Sequence, residues 1–195
     1  MKKGRLEAFS DGVLAIIITI MILEMKIPDG SEFSNLTPLA PVFSSYLLSF
    51  IYLGIYWNNH HHMMHTVKQV TGGILWANLH LLFWLSLIPF VTGWMGEHHF
   101  TKAPMVLYGI VLLLSAIAYY LLQTIIIKSQ GADSILSRAV GKDVKGKMSP
   151  ILYSIAIGSC WFNPWIAGGI YILVAFMWLV PDKRIEVIFK NEEVD

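Results

Sequence analysis

The chain has 195 residues, of which 55% are hydrophobic and 14% charged, and its mean hydropathy is +0.59. Soluble domains carry about 25% charged residues, so this composition, gathered into long apolar blocks, specifies an integral membrane protein. A formal net charge of +1 and a single cysteine exclude a disordered chain, a disulfide scaffold and a nucleic-acid binder with a basic face.

Six blocks approach the roughly 20 helical residues that a bilayer core of about 30 Å requires. They cover residues 5–27, 39–60, 73–92, 104–127, 149–162 and 165–180, and predict an all-α, polytopic protein with one domain over 1–195. The first block is uncharged from Gly12 to Leu23, but Glu7 and Asp11 precede that stretch. A cleavable signal peptide has a purely basic start, so this block is expected to stay as a membrane helix. The second block runs on as helix into the histidines of NNHHHMMH, Asn58 to His65. Thr71-Gly72-Gly73 reads as the loop that starts the third block, and Pro89 marks a kink or the interface at its end. The fifth and sixth blocks are short, and Asn163-Pro164 between them reads as a tight turn joining antiparallel helices. The polar stretch Lys128 to Met148 is too small to hold a core of its own.

All but Lys26 and Lys102 of the 14 Lys and Arg residues fall on one side of this arrangement. By the positive-inside rule both termini are then cytoplasmic, in a multi-pass protein of the cell's inner (cytoplasmic) membrane. Trp57, Trp94, Trp161, Trp165 and Trp178 stand near the expected span ends, where an aromatic belt meets the lipid headgroups.

Charged groups inside a bilayer are costly and tend to be functional. The first helix opens with RLEAFSDG, which sets Arg5, Glu7, Ser10 and Asp11 at the edge of an apolar span. One reading makes Ser10 or Asp11 an N-cap before a hydrophobic run. The other is a buried polar network that joins the first three helices. Trp57, His60 and His61 of the second helix, and Asn78 and His80 of the third, are the donors available at that depth. From Asp11 onward Ile16, Thr19, Ile20, Leu23 and Ile27 recur at spacings of three and four, making one stripe. Such a stripe is ordinary packing or lipid-facing surface in most membrane helices.

The histidines admit a second class of function. His61 and His65 lie at i and i+4 with Met63 and Met64 between them, a spacing able to hold a soft metal. His98 and His99 are expected on the opposite side, and no clustered carboxylates complete a metal path, so no metal ligand is assigned. A pH response suits histidines at an interface better. No phosphate loop, nucleophile elbow or zinc-protease helix is present, so no enzyme activity is expected.

The motif RxxxFSDG, here Arg5, Phe9, Ser10, Asp11 and Gly12, resembles that of the lysosomal potassium channel family (transmembrane protein 175 family) in its prokaryotic form. The likeness extends to YWxxHH at Tyr56 to His61 and to LIPF at Leu87 to Phe90. The resemblance implies a homotetramer of six-span subunits around one pore in the lipid bilayer, passing K+ and other monovalent cations without a cofactor. It implies that the first helix lines the pore, with Ile16 at the main constriction, Thr19 as a hydroxyl layer, and Ile20 or Leu23 as the next apolar ring. Nothing resembles a TVGYG filter, so modest preference for K+ over Na+ is expected. Glu24 either concentrates cations at the pore mouth or pairs with Lys26. The alternative is a proton-conducting or proton-coupled transporter that uses Asp11 and the histidines as relays.

Overall fold

The computed structural model describes residues 2–131, 133–141 and 143–179, and all regular structure among them is helical. Helix α1 spans Lys3–Leu23, and a 3-10 helix over Phe33–Leu39 leads into α2, Ala40–His65. Then come α3, Gly72–Ser86, α4, Ile88–Glu97, and the long α5, Lys102–Gln130. A six-residue α6, Ile135–Val140, precedes α7, Val144–Ser159, and α8, Pro164–Leu179. By length and composition, four stretches are able to cross a membrane: Lys3–Leu23, Phe33–His65, Gly72–Glu97 and Lys102–Gln130. Pro164–Leu179 is a shorter apolar helix.

The helix ends follow local chemistry. Pro28 disfavours helical backbone at the residue before it, and α1 stops at Leu23, so Ile27 lies past the helix and off the stripe. Because α1 already begins at Lys3, Ser10 and Asp11 sit inside it and cap nothing. Thr71 caps α3, its hydroxyl accepting the amide of Ile74 at 3.3 Å. The third span breaks at Leu87 because Pro89 has no N–H and its ring presses on the preceding turn. Asn163 Oδ1 accepts the amide of Trp165 at 2.9 Å, which caps α8, and Pro164 takes its first position.

Helix α5 is the packing hub, lying against α3, α4, α7 and α8, while α1 rests on α2, α3 and α4. Two glycines allow close helix contacts. A Cβ on Gly96 in α4 would come within 2.7 Å of the Val42 backbone at the start of α2. One on Gly109 in α5 would meet the Tyr171 hydroxyl of α8 and Ile157 of α7. Buried polar atoms find partners between helices, as hydrocarbon surroundings demand. The Tyr52 hydroxyl donates to the Tyr171 carbonyl at 2.6 Å, and the Tyr171 hydroxyl to that of Met105 at 2.9 Å. Ser49 Oγ lies 2.6 Å from Thr92 Oγ1 and 3.0 Å from the Tyr108 hydroxyl, tying α2 to α4 and α5.

Candidate pore helix and its anchoring network

The buried face of α1 is Leu6, Ser10, Leu14, Ile17 and Met21, a run at spacings of three and four that presents one side of the helix. Ser10 is fully buried. Its hydroxyl donates to the Leu6 carbonyl at 2.9 Å and accepts from Asn78 Nδ2 at 2.9 Å. Asn78, also fully buried, places its Oδ1 2.7 Å from His60 Nε2. One continuous chain of hydrogen bonds therefore joins α1, α3 and α2. Beside it the Trp57 indole donates to Asp11 Oδ1 at 3.1 Å, and the His61 ring stacks on Trp57 with centroids 6.3 Å apart.

The other motif residues lie apart from this chain. His80 accepts from Trp84 Nε1 at 2.9 Å on the exposed side of α3. The Arg5 side chain is exposed and makes no hydrogen bond or ion pair with the described residues. Phe9 is half-exposed.

Two lysines that sequence reasoning did not select hold the ends of α1. Lys3 Nζ donates to the His65 carbonyl at 2.6 Å, at the C-terminal end of α2 where a cation suits the helix dipole. Lys3 also lies 3.9 Å from Glu7. At the far end Lys26 pairs with Glu97 at 2.9 Å and leaves Glu24 exposed, so the Lys26–Glu24 pairing is not formed. A backbone acceptor and a partner remote in sequence leave no pattern by which either contact could be read.

Opposite the buried face α1 is bare. Ile16 is 58% exposed, Ile20 40% and Leu23 80%, with Thr19 exposed between them. The Thr19 hydroxyl spends its proton on the Ile16 carbonyl at 2.9 Å, so its oxygen faces outward as an acceptor. The histidines gather at the other end: His61 lies 6.3 Å from His65, centroid to centroid. Among the described residues no group of three or more His, Cys, Asp or Glu side chains is placed to hold a metal.

A helical bundle with membrane-length apolar helices, one of them locked at an end and bare along a stripe, is an integral membrane protein built like a channel subunit. Residues 5–89 match the family described as endosomal/lysosomal potassium channel TMEM175. A Chryseobacterium protein (strain P1-3) named as a potassium channel is 57% identical over 191 residues, 98% of this chain and 100% of its own length. The chain belongs to the TMEM175 family. A crystal structure of a lysosomal potassium-selective channel TMEM175 homologue from Chamaesiphon minutus superposes with a TM-score of 0.81 at 28% identity, over 92% of this chain and 97% of that one. The human protein, named as an endosomal/lysosomal proton channel, is 33% identical over 101 residues, 46% of this chain and 20% of the human one.

Proposed function

We propose that the protein is a potassium-permeable cation channel, a homotetramer in the cytoplasmic membrane with both termini inside. The observation that carries the reading is the bare stripe on an otherwise anchored helix. Four copies of α1 around an axis would stack rings of Ile16, Thr19, Ile20 and Leu23. Branched aliphatic rings narrow a pore and gate it, since a narrow apolar neck holds water poorly. The Thr19 oxygens offer acceptors to a passing cation. With side-chain hydroxyls and radius as the means of selection, K+ is preferred over Na+ modestly. Names of relatives across nearly the whole chain support the potassium reading.

Ion flux from liposomes that carry the purified protein tests it, with K+, Cs+ and Na+ gradients compared at fixed pH. Passive flux that is faster for K+ and Cs+, and increased by Ile16→Asn, is expected. Absence of alkali-ion flux from folded, inserted protein overturns it.

A second reading, proton conduction, draws on the human relative's name and on Asp11 and the histidines at one end of α1. A pH gradient across the same liposomes, with dye-reported proton entry and no alkali-ion flux, would favour it.

A further inference from the structure

Away from the polar network, the far half of α1 does not close against the bundle. A groove of about 550 Å3 lies between α1, α2 and α4, inside the range of roughly 300–1,000 Å3 that ligand pockets occupy. Tyr46 of α2 and Phe90 and Trp94 of α4 wall it. The rings of Phe90 and Trp94 are stacked, 6.4 Å apart and inclined by 21°. Two carboxylates, Glu24 and Glu97, stand at its rim.

The rim already holds one alkylammonium group. Lys26 Nζ lies 2.9 Å from Glu97 Oε1, with the lysine side chain 81% exposed. Glu24 is exposed and has no side-chain partner among the described residues. A lipid acyl chain gains nothing from two carboxylates, and a bare alkali ion cannot fill this volume. A cation with apolar bulk satisfies both features, because aromatic faces and carboxylates attract positive charge together.

We propose that this groove is a binding site for an organic ammonium ion, a tertiary or quaternary amine that carries an aromatic or branched alkyl group. The head group sits between Glu24 and the face of Phe90 or Trp94, and the apolar part lies along Ile20. Ile20 also belongs to the stripe assigned to the conduction path, so occupancy reduces cation flux; this consequence rests on the channel reading.

Isothermal titration calorimetry of the detergent-purified protein with benzyltrimethylammonium tests the site, with its neutral carbon isostere neopentylbenzene as control. Saturable binding of the cation and not of the isostere is expected, weakened about two- to fivefold by Glu24→Gln and likewise by Phe90→Ala. Both side chains are exposed, and unchanged thermal melts would show the variants to be folded. Equal binding of cation and isostere would make the groove an apolar slot for a lipid chain and overturn the proposal. Cation binding untouched by both substitutions would place the site elsewhere. No saturable heat would mean that the assembled protein closes the groove, and either result also overturns it. Calorimetry needs no conduction, so its failure is distinct from failure of the channel reading.

Discussion

His60 Nε2 lies 2.7 Å from Asn78 Oδ1, and the direction of that hydrogen bond is fixed from the other end of the chain. The Ser10 hydroxyl gives its proton to the Leu6 carbonyl, so it accepts from Asn78. Asn78 must therefore aim nitrogen at Ser10 and oxygen at His60, which makes His60 the donor through Nε2. Removing the middle member strands a buried group on each side. Asn78→Leu is expected to destabilise the protein by about 1–3 kcal/mol. Ser10→Ala removes one acceptor and costs less. Thermal unfolding of the two purified variants compares them; equal melts would dissolve the chain as a structural unit.

Trp57 and Asp11 make a neighbouring contact of a different kind, a 3.1 Å hydrogen bond from an indole to a carboxylate at an exposed edge. What the indole needs is an acceptor oxygen, which an asparagine also supplies. Asp11→Asn should keep assembly close to that of the unsubstituted protein, while Asp11→Ala should lower the assembled fraction in size-exclusion chromatography. An unchanged assembly with normal flux in Asp11→Ala would show that the contact anchors nothing.

On the opposite face of α1, Ile16→Asn should raise K+ flux, because a polar side chain wets an apolar neck. Thr19→Val keeps the shape and removes the outward oxygen. It should lower the ratio of K+ to Na+ flux without a change in melting, since Thr19 is exposed and its bond to Ile16 is local. An unaltered ratio would remove Thr19 from the selecting groups.

His80 shows where reading along the chain loses its grip. It lies only two residues from Asn78, and depth in the membrane is the same for both. Two residues turn a helix by about 200°, so Asn78 points into the bundle and His80 points out to Trp84. The apolar blocks, the break before Pro89 and the cap at Thr71 were legible because each depends on nearby residues. Ser10, Asn78 and His60 were legible as types and depths, through the cost of polar groups in hydrocarbon. Lys26–Glu97 was not, since an exposed pair between remote loop and helix ends follows from the packing of α1 on α4. His80→Ala should accordingly shift stability by less than about 0.5 kcal/mol, and a larger loss on melting would return it to the network.

Gly109 carries the tightest packing prediction away from α1. A Cβ there would run into the Tyr171 hydroxyl and lie 2.8 Å from Ile157. The Tyr171 hydroxyl cannot simply swing aside, because it donates to the Met105 carbonyl at 2.9 Å and Tyr171 is fully buried. Gly109→Ala must therefore push α8 away from α5 or break that bond. Overpacking of this kind costs about 1–3 kcal/mol. Tyr171→Phe removes the obstructing oxygen at the expense of the Met105 hydrogen bond, so the double variant should lose less than the sum of the two single losses. A double-variant cycle on melting free energies measures the difference. Strict additivity would mean that the two residues do not meet.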